Sequence, residues 1–213
     1  AKIMKHKDGS KKPSYNCQVA VDEKEQIIVA ADLVDEENDL HQIEPMIKNV
    51  KETLGYKPTI VLADAGYFSY DNVKFLLDEG IDAYIPDNFY KVEKRGKTKK
   101  FRKSLFKYDE EKDCYYCPAA FEIPFIRIQK RENEPDLRNY VCKYCYLCVL
   151  KNACTDSKSR TISRDPREYL MEDMRVKLNT EEGTEQYQKR MCTVEPVFGQ
   201  MKQDRGFREF LLR

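Results

Sequence analysis

From Tyr15 to Asp22 the chain alternates, with Tyr15, Cys17, Val19 and Val21 on one side and Asn16, Gln18, Ala20 and Asp22 on the other. A period of two residues is that of a half-buried strand. Gln26 to Leu33 reads as a second strand, joined to the first as a hairpin through Asp22-Glu23-Lys24-Glu25. The period then lengthens. Ile43, Met46, Ile47, Val50 and Leu54 share one face of a helix predicted from Leu40 to about Leu54, with Asp39 as its cap and Gly55 as its stop. Thr59 to Ala63 is short and wholly apolar, the composition of a buried parallel strand, and Gly66 breaks it. Ser69 or Asp71 can open a helix through Leu77 that stops at Gly80, and Asp82 to Ile85 gives another short strand before Pro86. Hairpin, helix, strand, helix, strand is the order of a mixed sheet with helices packed on it, an α/β fold.

From Asn88 to about Arg164 this periodicity fails, and the segment is rich in Lys, Tyr and Cys. It reads as an inserted module organised by metal. Helical pattern returns near Pro166 and runs in pieces to Lys202, with Gly183 interrupting. Tyr187, Arg190, Val194, Val197, Phe198 and Met201 recur at helical intervals. Pro196 inside that pattern should kink or restart the helix, because it lacks a donor and clashes one turn back. The expected organisation is a core over 1–88, a Cys-rich insertion over 89–164, and a helical return to the core over 165–213.

Composition changes this picture little. A net charge of +1 with 35% charged residues does not announce a nucleic-acid binder, so such a role must rest on local patches. Lys91 to Lys103 and Lys2 to Lys12 are basic and Asp32 to Asp39 is acidic; each is read first as a solvated loop. No apolar stretch has the length of a membrane span and no signal-peptide pattern opens the chain, which suggests a cytoplasmic protein without membrane contact. The start at Ala1 and the apolar, basic end from Phe207 to Arg213 suggest a fragment. Only His6 and His41 are histidines, both in polar stretches, which disfavours Ser/His, Cys/His and His-rich metal chemistry.

Carboxylates and cysteines remain. Asp64 follows an apolar strand and precedes Gly66, so it should project from the carboxyl end of a strand, where open α/β sheets place ligands. Glu195 could join it from a helix, with Arg190 and Lys202 near enough on that helix to hold phosphates. Oxygen ligands of this kind suit Mg²⁺ or Mn²⁺ in phosphoryl transfer. The bland alternative is a turn-forming aspartate and a surface ion pair. The cysteines fall as Cys114-x2-Cys117 and Cys142-x2-Cys145-x2-Cys148-x5-Cys154, spacings that suit tetrahedral thiolate zinc, with two sulfurs more than one ion needs. Cys17 and Cys192 read as ordinary packing residues.

Four segments together resemble the catalytic region of bacterial insertion-sequence DDE transposases. They are Tyr15-Asn16-Cys17-Gln18-Val19-Ala20-Val21-Asp22, Asn38-Asp39, Ala63-Asp64-Ala65-Gly66-Tyr67, and Tyr187-x2-Arg190 with Val194-Glu195-Pro196-Val197-Phe198-Gly199-x2-Lys202. The resemblance implies a ribonuclease-H-like mixed sheet with flanking helices, interrupted by a small zinc-binding insertion. It implies Asp64 as the second catalytic acid, Glu195 as the glutamate, and Tyr187, Arg190 and Lys202 as DNA contacts. It also selects Cys117, Cys145, Cys148 and Cys154 as zinc ligands, leaving Cys114 and Cys142 as alternatives. Terminal-repeat and target DNA would be the partners, and a homodimer the working form. In relatives the first aspartate lies on a strand upstream of the hairpin, and that strand is missing from this sequence. Asp8 and Asp22 are the possible substitutes, each with turn chemistry as the plainer reading. The expectation is a transposase catalytic domain that cannot cut or join DNA alone; the alternative is a non-catalytic, zinc-stabilised DNA-binding relic or domesticated relative.

Overall fold

The structure is a computed structural model and describes residues 2–5, 9–96, 100–204 and 206. His6 and Asp8 lie outside the described residues. The chain forms two units, residues 1–88 with 170–213, and residues 89–169.

In the first unit β1 (Lys2–Lys5) and β2 (Lys11–Ser14) pair antiparallel, Lys2 opposite Ser14 and Lys5 opposite Lys11. The basic run from Lys2 to Lys12 is therefore more than a solvated loop. Buried Met4 gives β1 one inward side chain, and the Lys5 backbone N–H donates to Glu37 at 3.3 Å. The expected hairpin follows as β3 (Asn16–Val21) and β4 (Ile28–Val34), with a bulge between Ala20 and Val21. Asp22 builds its turn: its carboxylate accepts the Glu25 N–H at 2.7 Å and its own N–H donates to the Ile27 carbonyl at 2.9 Å.

The alternation along β3 is real, but its faces are the reverse of a simple apolar-in reading. Ala20 and Ala30 pack against Met46 and Val50, and Gln18 is only 1% exposed. Tyr15 stays exposed. A buried glutamine is tolerable because both ends of its amide find partners, described below.

The helix α1 (Ile43–Leu54) buries Ile43, Met46, Ile47 and Val50 as the spacing predicts, and Gly55 ends it at φ 78°. It starts at Ile43 rather than Leu40. Gln42 is its cap residue, without a side-chain capping bond, because the Asp39 carboxylate is engaged elsewhere. The strand β5 (Ile60–Leu62) leads through α2 (Tyr70–Asp78) to β6 (Asp82–Tyr84), which pairs with β5 in parallel. Ser69 caps α2 by accepting the Asn72 N–H at 3.1 Å. Wholly buried β5 is not: Ile60 is 40% exposed, since β5 has a ladder partner on one side only among the described residues. The β3–β4 and β5–β6 ladders share no hydrogen bonds with each other.

In the second unit the absence of a long pattern hides a regular sheet. After α3 (Tyr90–Lys94) come β7 (Lys107–Asp109), β8 (Cys114–Tyr116), β9 (Glu122–Gln129) and β10 (Leu137–Val141), then α4 (Lys151–Cys154) and β11 (Thr161–Arg164). The five strands form one antiparallel sheet in the order β11-β10-β9-β8-β7. Phe106, Tyr115, Ile123, Tyr140, Ile162 and three cysteines make its core. Asp113, at φ 47° in the β7–β8 turn, takes the hydroxyls of Tyr108 at 2.9 Å and Tyr140 at 2.6 Å and the guanidinium of Arg138. Part of the Lys91–Lys103 run is spent inside this unit: Lys100 pairs with Asp156 at 2.7 Å and Lys103 with the buried Glu168 at 2.5 Å.

The helix α5 (Glu168–Asn179) buries Leu170, Met174 and Leu178, and Arg175 grips the 5%-exposed Asp87 with two bonds of 2.6 and 2.7 Å. The interruption expected at Gly183 falls instead at Thr180, which caps α6 (Glu181–Gly199) by accepting the Gly183 N–H at 2.9 Å. Gly183 lies inside the first turn of α6, where a Cβ would come 1.9 Å from the Lys177 carbonyl oxygen, so the close approach requires glycine. Pro196 does not break α6. The carbonyl one turn back, that of Cys192, lacks an intrahelical donor and takes the Gln26 side-chain amide at 2.9 Å instead. A π-helical turn, Gln200–Asp204, follows directly. No helix among the described residues is long and apolar enough to cross a membrane.

Candidate active site

Asp64 stands just past β5, where the chain leaves the ladder for a 3₁₀ turn over Ala65–Tyr67. It caps that turn, its Oδ1 accepting the Ala65 N–H at 2.5 Å. Its other oxygen is 3.8 Å from Nη1 of Arg190, and Nη2 of the same guanidinium is 3.5 Å from Oε1 of Glu195. The two acids, one from a strand end and one from α6, thus meet at a single arginine. Arg190 has only 14% of its side chain exposed, while the carboxylates of Asp64 and Glu195 remain about half open to solvent. Tyr187 is on the same helix, its ring 5.8 Å from the Arg190 guanidinium. Lys202 falls in the π-helical turn, a form that often marks functional sites; its side chain lies outside the description.

Beside this pair is a residue whose part here the sequence did not reveal. Asp39 accepts the side-chain amides of Asn16 and Gln18, each at 2.7 Å, and Gln18 in turn accepts the Tyr67 hydroxyl. Burial, and then the negative charges of Asp39 and Asp64, push the Tyr67 hydroxyl well above its ordinary range, so Tyr67 stays a neutral donor. The Asn16-x-Gln18 and Asn38-Asp39 pairs were the available signal. A local capping rule assigned Asp39 to the helix instead.

In the second unit Cys117, Cys142, Cys145, Cys148 and Cys154 line one small pocket, with Arg160 at its wall. Cys114 does not line it and sits buried in β8. The Arg160 backbone N–H donates to Cys145 Sγ at 3.3 Å, as main-chain amides do toward electron-rich sulfur. Burial pushes the Cys142 and Cys154 thiols upward, and neighbouring cysteines push both further the same way. Of the tyrosines near the cysteines, Tyr115 and Tyr140 are core residues, whereas Tyr144 and Tyr146 are exposed. Among the described residues no three His, Cys, Asp or Glu side chains converge to hold a metal ion, at the carboxylates or at the thiols. The donors present are hard, solvent-facing oxygens at Asp64 and Glu195, and soft sulfurs lining one pocket.

These features define a mixed α/β protein that presents two carboxylates and an arginine together at its surface. Residues 116–213 match the family model described as the transposase DDE domain. Over that stretch, a little under half of the chain, the sequence is similar to the transposase DDE domain. The match takes in Cys117 to Cys154, Tyr187, Arg190 and Glu195, while Asp64 lies outside it. No curated protein and no solved structure matches the chain.

Proposed function

We propose that this chain carries the DNA-cleaving and strand-joining centre of an insertion-sequence transposase, with Asp64 and Glu195 as two of its acids. The observation that carries the reading is the Arg190 bridge between carboxylates on far-separated elements, within the signature that also holds Tyr187 and Lys202. Asp64 and Glu195 would hold Mg²⁺ or Mn²⁺, which supplies activation of a water or 3′-hydroxyl and charge stabilisation at phosphorus. Arg190 neutralises both carboxylates and can offer a bidentate fork to a phosphate; Tyr187 supports it from the same helix, and Lys202 adds point charge.

The fold proposed is ribonuclease-H-like, with 1–88 and 165–213 as its core and 89–164 as a Cys-rich insertion. The open edges support this. The β3–β4 and β5–β6 ladders are separate, and one further strand could join them into a mixed sheet while bringing a third acid. Asp22 does not serve as that acid here, being used in its own turn. In the insertion, Cys117, Cys145, Cys148 and Cys154 would hold one structural zinc ion, with Cys142 as a fifth sulfur in the same pocket. A homodimer acting on paired ends is the proposed working form.

The test is incubation with terminal-repeat DNA and Mn²⁺. Residues 1–213 should bind DNA in a salt-dependent way but join ends poorly, because among the described residues no third acid converges with Asp64 and Glu195. Joining should appear when a strand bearing that acid is supplied, and Glu195→Gln should abolish it. Joining that survives Glu195→Gln would sink the assignment. DNA binding with no chemistry under any of these conditions would favour the non-catalytic relic.

A further inference from the structure

The turn that presents Asp64 is tied to one place. Asn72 Nδ2 donates to both the Leu40 and the Tyr67 carbonyls, each at 2.8 Å, and Ser69 Oγ donates to the Leu40 carbonyl at 3.1 Å. Tyr67 donates to Gln18, and Gln18 donates to Asp39. Apart from the Asn72–Tyr67 bond, which closes the turn on itself, these bonds run from the 64–72 segment, directly or through Gln18, to Asp39 and Leu40. At Gly66 a Cβ would lie 3.2 Å from Asp39 Oδ2, a tight contact that glycine relieves.

Asp39 is therefore the fixed post of the arrangement. Two amides converge on its Oδ1, one of them from a glutamine that is 1% exposed, so its position is set by β3 rather than by the loop it sits in. We propose that Asp39 is a positioning residue for Asp64: held by Asn16 and Gln18, it sets the Ala65–Tyr67 turn so that the Asp64 carboxylate faces Arg190 and Glu195. This rests on the reading of Asp64 as a metal-holding acid. Hydrogen-bond acceptance, not charge, is what the role requires.

Mn²⁺ binding by the whole chain, followed by electron paramagnetic resonance, tests it, with circular dichroism to report folding. Asp39→Ala should weaken binding about tenfold, the scale seen when a partner orienting a metal ligand is removed. Asp39→Asn keeps an oxygen for both amides and should recover most of that loss. Gly66→Ala crowds Oδ2 from the other side and should weaken binding without touching Asp39. Unchanged affinity in folded Asp39→Ala overturns the proposal, as does Asp39→Asn behaving like Asp39→Ala, which would make the charge itself the contributor. Should Asp39→Ala not fold, Gly66→Ala decides alone, full affinity counting against. Asp64→Ala is the control on the underlying reading: no response there overturns both, whereas a response there with none at Asp39 overturns this proposal only.

Discussion

A single side chain can be worth most where several weak donors meet on it, and Asp113 is such a place in the second unit. Burial on its own would raise its carboxyl, but hydrogen bonds from Tyr140, Arg138 and Tyr108 outweigh that and hold it below the ordinary range. Asp165 is held low in the same way, burial opposed by Arg167 and Arg131. A carboxyl with a lowered folded pKa contributes stability that is complete above its unfolded value, about 3.9, and lost as pH falls through the folded value. Thermal melts should therefore change little between pH 7 and about pH 5 and fall below about pH 4. Asp113→Asn should flatten that acid decline; an unchanged slope in the variant would show that the cluster does not titrate with folding. None of this was legible in the sequence. Asp113 reads as a turn residue, and its partners Arg138 and Tyr140 are brought to it only by the sheet. Asp64 and Glu195, by contrast, stood out in sequence because their immediate neighbours are distinctive.

Elements were readable where their own spacing carried the answer. The apolar face of α1, the Ser69 cap of α2 and the Gly55 stop are local facts, and they appear as the sequence predicts. Strands β7 and β8, only three residues each, are too short to show a period, so the second unit read as irregular. The joint between α5 and α6 lies at Thr180 rather than Gly183 for another reason: this glycine marks a close approach of backbone, not a break in the helix. Gly183→Ala should force the Lys177 carbonyl aside and destabilise the chain by about 2 kcal/mol or more, the range for overpacking at a rigid backbone. Denaturant unfolding measures it. A loss within the few tenths typical of surface changes would mean that the joint opens freely.

For the whole molecule, the second unit concentrates five of its cysteines at one pocket, and the reading as a zinc-held insertion makes a plain prediction. Protein purified without added metal should carry about one zinc per chain, and a strong chelator should unfold residues 89–169. Elemental analysis showing none, with no change in circular dichroism on chelation, would dismiss zinc and leave the thiols as packing residues. The first unit instead depends on contacts across long stretches of chain. Its helix α6 passes through Pro196 intact, with Gln26 supplying the missing donor to the Cys192 carbonyl, 166 residues further along the chain, and Lys189 pairing with Glu23 of the same hairpin turn at 3.1 Å. Closing such a span costs chain entropy, and the Cys192 carbonyl in the last turns of α6 gains its donor only where the hairpin is docked. Glu195 sits in those turns. Its place is thus conditional on tertiary docking, and an isolated peptide of α6 would lose the segment around its glutamate first.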